Sequence, residues 1–390
     1  MARPRVFFYV QHLLGIGHVR RTAILARALA REGIEVTVAS GGMPVPQVSF
    51  EGVRFVQLPP VTSADLTFKV LVDESGRLID DAWKRRRAAA LQSAWRAADP
   101  RVVVFELFPF GRRKLQFELL PMLEALAALP RRPLLVSSVR DILSGQKKPE
   151  RQEESLALAE RWIDHILLHG DRSVIPFERT FVPAPRVTRP IHYTGYVLDA
   201  PPAPQGDAGG KGEVIVSAGG SAIGDRLLET AIRARPRTAL RDRTWRVLAG
   251  VGIDEATFGR LRRVGAETGE GRVVVERARP DFIALLANCE LSVSQAGYNT
   301  LLETVQVGAR AVVVPFAGGT ETEQAQRAEC FAERGLVGVL EEHALSADAL
   351  AAAIDRAAGK PRPRPGRIDL DGARESARLL AGWARARPAA

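Results

Sequence analysis

The stretch Gly15-Ile16-Gly17-His18-Val19-Arg20-Arg21 follows a short apolar run, Arg5–Val10, and opens a segment of helical spacing. Glycine lets a backbone come close to a ligand. A helix N-terminus offers that ligand free N–H groups and the positive end of a dipole. His18 stands at this mouth, where an imidazole can accept or donate a proton near neutral pH. The dinucleotide fingerprint occupies the same place, but its third glycine is missing, since His18, Val19 and Arg20 follow Gly17. A second stretch, Ser217-Ala218-Gly219-Gly220-Ser221-Ala222-Ile223-Gly224, closes another apolar run. Small residues and a serine before a helix can cradle phosphate, although a plain strand-to-helix turn carries the same glycines. No Gly-Lys-Ser/Thr follows, so it is not a Walker loop.

The third stretch is longer, Ser294-Gln295-Ala296-Gly297-Tyr298-Asn299-Thr300-Leu301-Leu302-Glu303, continued by Val312–Phe316 and Glu321–Ala328. Polar groups gather here at two helix starts, each after an apolar strand. Gly297 admits a phosphate to the backbone. Glu303 can accept both hydroxyls of a ribose, as the acid of other nucleotide sites does. Glu323 and Gln324 can hydrogen-bond sugar hydroxyls. Two further acids end apolar runs: Glu106 after Val102–Phe105, and Asp141 after Leu134–Ser137 and Arg140. Each is a second candidate base or acceptor contact, or a member of an ordinary polar rim.

These residues need a scaffold that brings strand ends together. The pattern predicts strands at Arg5–Val10, Ile34–Ala39, Val53–Leu58, Val102–Phe105, Leu134–Ser137 and Ile166–Leu168, with helices over Val19–Arg31, Ala82–Ala98 and Leu115–Leu129. Residues 198–212, rich in Pro and Gly, read as a linker. A second alternation follows, with strands at Val214–Ser217, Trp245–Ala249, Arg272–Val275, Leu291–Val293 and Ala311–Val314. Its helices are Asp225–Ala234, Asn299–Val307 and Gln324–Arg334. The expected fold is α/β: two doubly wound Rossmann-like domains, 1–197 and 213–371, facing a cleft. Gly372–Arg385 reads as a helix that returns to the first domain.

Composition narrows the classes. The 390 residues are 46% hydrophobic and 26% charged, which suits folded domains and excludes a disordered chain. Cys289 and Cys330 are too few for a disulfide framework and read as small apolar residues of a reducing compartment. No clustered Cys/His pattern suggests zinc. No signal peptide is read at the start, and no apolar run approaches the ~20 residues of a spanning helix. The expected location is cytoplasmic. The net charge is +10, with basic runs at Lys84–Arg87, Arg112–Lys114 and Lys147-Lys148. Such runs usually lie on solvated faces. They also raise peripheral contact with an anionic membrane at its inner face. No aromatic-interleaved basic stripe appears, and no nucleic-acid partner is expected.

Ser294–Ala328, with the Gly219-Gly220-Ser221 turn and the Gly15–His18 turn in order, resembles the signature of GT-B fold nucleotide-sugar glycosyltransferases. It is similar to the lipid-linked N-acetylglucosaminyltransferase of peptidoglycan synthesis and its relatives. Thr194-Gly195-Tyr196-Val197 resembles that family's hinge, but continues Leu198-Asp199 where the relatives have a phosphate-binding Arg. The resemblance implies an inverting, metal-independent transfer from a UDP-sugar, UDP-N-acetylglucosamine-like, to an acceptor hydroxyl or amine. The nucleotide sugar is a substrate, no cofactor is implied, and the acceptor is left unknown. Carried over residue by residue, Glu303 binds ribose, Gly297 and Ser221 approach the diphosphate, and Gly17, Gly219, Gly220, Tyr298, Asn299 and Thr300 belong to the donor nucleotide-sugar site. Ala278 and Arg279 hold the base edge through backbone atoms, and Glu323 and Gln324 contact the donor sugar. His18 is the catalytic candidate, and Glu106, from its place at a strand end, the second. The same Gly-Ile-Gly-His loop also resembles UDP-sugar hydrolases of this fold. A non-catalytic nucleotide-sugar-binding subunit is the third reading.

Overall fold

The computed structural model describes residues 3–13, 15–65, 70–143, 148–200, 209–219, 224–318, 322–364 and 366–386. The chain forms two compact units, Met1–Asp199 with Asp369–Ala390, and Ala200–Ile368. The chain rejoins the first unit at Asp369, three residues before the return helix begins. Tyr196 N–H donates to the Asp369 carbonyl at 2.8 Å, and Gly372 N–H to the Tyr196 carbonyl at 3.1 Å.

The first unit runs β1 (Arg5–Val10), α1 (Gly17–Arg31), β2 (Glu35–Ser40), β3 (Arg54–Gln57), β4 (Val61–Ser63), β5 (Leu71–Asp73), α2 (Asp81–Ala98), β6 (Val102–Glu106), α3 (Gln116–Ala127), β7 (Leu134–Arg140), α4 (Pro149–Trp162), β8 (His165–His169) and β9 (Ile191–Tyr193). Seven of its nine strands pair in parallel in the order β3-β2-β1-β6-β7-β8-β9. β4 and β5 form a separate antiparallel pair. Side chains alternate across a strand. Val6, Phe8 and Val10 therefore pack beneath α1 and the final helix, whereas Phe7 and Tyr9 join the core under α2 and α3.

The second unit runs β10 (Val214–Ser217), α5 (Asp225–Ala234), β11 (Trp245–Ala249), α6 (Glu255–Thr268), β12 (Val273–Arg277), α7 (Phe282–Asn288), β13 (Leu291–Gln295), α8 (Tyr298–Gln306), β14 (Ala311–Val314), α9 (Glu323–Glu333), β15 (Gly338–Val339) and α10 (Ala347–Ala358). The strands are parallel, in the order β12-β11-β10-β13-β14-β15. Val214 and Val216 point to α5 and α10, and Ile215 to α7. The last helix, α11 (Gly372–Ala386), belongs to the first unit and buries Ala377, Leu380, Ala381 and Ala384 in the core it shares with α1.

Two of the basic runs are not simple solvated faces. Arg87 is fully buried, because the α2 face that turns Trp83, Leu91 and Trp95 inward carries it along. Arg112 also has buried guanidinium nitrogens. Lys147 lies outside the described residues. Among the described residues, no helix is long and apolar enough to cross a membrane.

Candidate active site

Each sheet has one point where the strand order reverses, and the loops there part to leave a crevice at the carboxyl ends of the strands. In the first unit that point lies between β1 and β6. α1 begins just after β1 and sets His18 in its first turn, while Glu106 is the last residue of β6. Two residues 88 positions apart thus meet: His18 Nδ1 lies 2.8 Å from Glu106 Oε1. Arg21, one turn along α1, donates to the same carboxylate. Glu106 is only 1% exposed.

The charge states follow from these neighbours. Burial works to raise the Glu106 pKa, but Arg21 and the hydrogen bonds from His18 and Ser138 outweigh it and hold the carboxyl well below its usual range. Burial, and then the charge of Arg112, push His18 well below the ordinary histidine value against the pull of Glu106. An ionised carboxylate can only accept, so the neutral ring donates Nδ1–H to it. Nε2 is left with its lone pair. This is the orienting carboxylate and base arrangement of nucleophile-activating dyads.

A line of hydrogen bonds fixes the carboxylate from behind. Ser138 Oγ donates to Glu106 Oε2 at 2.7 Å. With its proton spent, Ser138 must accept from His169 Nε2 at 2.9 Å. His169 Nδ1 is then an acceptor for the Thr194 hydroxyl at 2.9 Å. Ser138 and His169 come from β7 and β8, and His169 is completely buried. Burial, then the charge of Arg21, push its pKa down to about 3. Below about pH 6.5 the unfolded chain takes up a proton here that the folded unit refuses. Stability is therefore expected to fall as pH drops from 6.5 toward 3, by about 1.4 kcal/mol per pH unit from this group. Hydrogen exchange of β7 and β8 amides between pH 6.5 and 4.5 should lose protection more steeply in wild type than in His169→Asn. Equal slopes would refute the assignment.

A second buried network lies beneath the first. Arg87 bridges Glu118 through Nε at 2.8 Å and Nη2 at 3.0 Å. It also donates to Gln11 Oε1 at 2.7 Å and to the carbonyls of Gly41 and Pro59 at 2.9 and 2.5 Å. Tyr9 donates to Glu118 at 2.5 Å. These bonds tie the end of β1 to α2 and α3, and so hold the loop that leads to His18.

In the second unit the strand order reverses between β10 and β13. Ser217 and Ser294 face each other in register there. Their hydroxyls are buried and meet no hydrogen-bond partner among the described residues. Gly219, at φ +73°, turns the chain out of β10 in a conformation that suits glycine. Gly220 and Ser221 lie outside the described residues. Gly297 is different, since its φ is −60° and a Cβ there would meet open space. Gly17 has the same open surroundings. Packing within the described chain does not demand glycine at either place. α5, α8 and α9 start at Gly224, Gly297 and Thr322 with no side-chain cap, whereas Asp80, Asp254 and Ser346 cap α2, α6 and α10. Uncapped first-turn N–H groups are available to an anion.

The remaining sequence candidates fall as follows. Tyr298, Asn299 and Thr300 form the first turn of α8, and Glu303 is buried one turn on, 4% exposed. Glu323 opens α9 and pairs with Arg327 at 2.9 Å, and Arg327 lies 4.9 Å over the Tyr298 ring, joining the two helix starts. Gln324 Oε1 accepts from Phe316 N–H at 3.1 Å. Glu323 and Gln324 are thus already engaged within the chain. Ala278 spends its N–H on the Ala249 carbonyl at 2.8 Å. Arg279 is clamped by Asp281 at 2.8 and 2.6 Å. For this pair, only the Ala278 carbonyl and the Arg279 backbone remain for a base edge. Asp141 is buried, and its Oδ1 accepts from Ile142 N–H at 2.9 Å. Sequence reasoning left Arg21, Arg112, Ser138 and His169 unassigned. Arg21 stood inside the quoted glycine-histidine stretch, and a survey of polar residues at every strand end would have reached Ser138 and His169.

Comparison with known proteins bears on both units. Residues 214–365 match the glycosyltransferase family 28 C-terminal domain. The chain is 29% identical over 164 residues to the UDP-N-acetylglucosamine--N-acetylmuramyl-(pentapeptide) pyrophosphoryl-undecaprenol N-acetylglucosamine transferase of Synechococcus sp. (strain CC9902), across 42% of this chain and 43% of that one. To the transferase of the same description from Paraburkholderia phymatum it is 30% identical over 139 residues, across 35% and 37%. The chain spans less than half the length of these relatives. Solved structures match nearly end to end. The calicheamicin glycosyltransferase CalG4 has a TM-score of 0.61 at 18% identity, covering 98% of this chain and 95% of its own. Acinetobacter baumannii MurG has 0.58 at 13%, covering 98% and 95%. Phytolacca americana UGT2, complexed with UDP-2fluoro-glucose and pterostilbene, has 0.62 at 14%, covering 97% and 94%. At such identities it is the fold that is shared. The second unit thus carries the glycosyltransferase family 28 C-terminal domain, on a chain whose two parallel-sheet units have the GT-B fold.

Proposed function

We propose that the protein transfers a sugar from a UDP-sugar, UDP-N-acetylglucosamine-like, to an acceptor hydroxyl or amine, with inversion and without a metal ion. The observation that carries this reading is the His18–Glu106 pair at the strand-order reversal of the first unit. Its Nε2 lone pair suits removal of the acceptor proton. The acceptor oxygen or nitrogen then bonds to the anomeric carbon, and the bond from that carbon to the UDP oxygen breaks with its electrons on the diphosphate. The proton rests on His18 Nε2, and Glu106 offsets the imidazolium charge. The departing diphosphate is stabilised by the uncapped starts of α5 and α8, which take the part a cation would play. Helix N-termini, the orphaned Ser217 and Ser294 hydroxyls and the match to family 28 support donor binding in the second unit.

The test is incubation with a panel of nucleotide sugars, with and without EDTA, followed by mass spectrometry of nucleotide and sugar. Tight binding with slow release supports transfer and names the donor for an acceptor search. Fast release that needs no acceptor and is lost in His18→Ala would make the protein a hydrolase instead, since His18 can equally deprotonate water. Glu303→Gln is expected to weaken UDP binding by about 10–150-fold, because a carboxylate that accepts from two ribose hydroxyls contributes about 1.5–3 kcal/mol. Calorimetric titration with UDP checks it, and an unchanged affinity would remove Glu303 from the site.

A further inference from the structure

The loop that follows β6 does more than lead to α3. Its first residue, Leu107, and its sixth, Arg112, both have positive φ, 69° and 64°. Left-handed backbone is uncommon for such side chains and collects at functional sites. The turn sends the Arg112 side chain inward. Its Nε and Nη2 are buried and have no hydrogen-bond partner among the described residues. The charge of Arg112 acts on His18 and Arg21 of α1, Tyr9 of β1, Glu106 at the end of β6 and Arg140 at the end of β7. Arg140 ends β7, two residues beyond Ser138, which stands opposite Glu106 in the sheet. Its charge also reaches His18.

Glu106 is already bound to Arg21, His18 and Ser138. Arg112 brings a further guanidinium to their neighbourhood, with two buried donors that meet no partner among the described residues. Burying a guanidinium with unsatisfied donors is costly unless an anion arrives to meet them. A guanidinium presents its donors as a planar fork that fits a carboxylate or a phosphate.

We propose that Arg112, together with Arg140, forms an oxyanion site beside His18 that receives an acidic group, carboxylate or phosphate, carried by the acceptor. The inference rests on the transfer reading only for the word acceptor; the anion site itself stands on the orphaned guanidinium. An acid held there anchors the acceptor with its nucleophilic group toward His18 Nε2. It also lowers the positive charge that depresses His18, so acceptor binding strengthens the base that acts on it.

The test is direct binding, independent of turnover. Wild type, Arg112→Gln and Arg112→Lys are titrated with inorganic phosphate and with acetate at fixed ionic strength in sodium chloride, and separately with UDP. Circular dichroism confirms that each variant is folded. One of the two probes is expected to bind wild type and to bind Arg112→Gln about tenfold or more weakly, with Arg112→Lys between them and UDP affinity the same in all three. The probe that binds distinguishes a phosphorylated from a carboxylated acceptor. Binding of neither probe, or equal binding by wild type and Arg112→Gln, would overturn the site. A loss of UDP affinity in Arg112→Gln as large as the loss for the probe would overturn the assignment to the acceptor. If UDP fails to bind wild type, the transfer reading fails, and the phosphate and acetate titrations still decide the anion site.

Discussion

His18→Ala is expected to reduce turnover of sugar transfer by about 10²–10⁴-fold, the usual contribution of a positioned general base, while leaving UDP affinity unchanged. UDP binding is assigned to the second unit and His18 to the proton transfer, so the effect should appear in kcat. Glu106→Gln is expected to fall nearly as far with its geometry intact. An amide can donate to Nδ1, and then the proton moves to Nε2, which is the wrong tautomer for a base. The pH dependence has a definite sign. Burial and the charge of Arg112 lower the His18 pKa, so the ring stays neutral and active below pH 6.5. Activity should decline only as pH falls through that lowered value, on a limb displaced to the acid side of an ordinary histidine. Steady-state kinetics of the three proteins from pH 5 to 8 measures all of this. Full activity in His18→Ala would end the dyad reading, and a limb above pH 6.5 would assign the titration to another group.

Arg87→Ala should destabilise the first unit by about 3–5 kcal/mol, the cost of stranding a buried charge. Both Arg87 and Glu118 are fully buried, so solvent cannot replace the lost partner. Two backbone carbonyls, Gln11 and the ring of Trp83 lose contacts at the same time. Domains have only about 5–15 kcal/mol to spare, so this one change consumes a large share. Replacing the pair together, Arg87→Met with Glu118→Leu, should recover much of the loss, because no charge is then stranded. Urea unfolding followed by fluorescence of Trp83 and Trp95, both on α2, reports on this unit. A shift below about 1 kcal/mol in Arg87→Ala would show that water or a rearranged side chain reaches Glu118.

Part of this architecture is legible in the chain. The short apolar runs at Arg5–Val10, Val214–Ser217 and Ala311–Val314 are strands at those bounds, because strands buried on both faces need apolar residues at every position. α1, α5, α8 and α9 were marked by glycine or polar residues directly after such runs. α2, α3 and α11 were legible from their spacing. α4, α6, α7 and α10 went unread, since α6 contains Gly259 and Gly265 and α10 is mostly alanine, which blurs the apolar stripe. The β4–β5 pair has only three residues per strand, too few for an alternation to register.

What the sequence by itself determined is local: which runs become strands, which helices begin at glycine, and that His18 opens a helix after one strand while Glu106 closes another. Tertiary structure decided the rest. Sheet order placed β6 beside β1, and only that pairing converts two candidate bases 88 residues apart into one hydrogen-bonded pair. The same pairing separated arginines that look alike in the chain. Arg87 became a buried strut, Arg21 the partner of Glu106, and Arg112 a cation whose Nε and Nη2 meet no partner among the described residues, while Arg85 and Arg86 stayed exposed. Residue type and spacing carry no information about burial of that kind. It depends on which strand ends meet, and so on non-local packing, where the dielectric around a charge is set by the whole core.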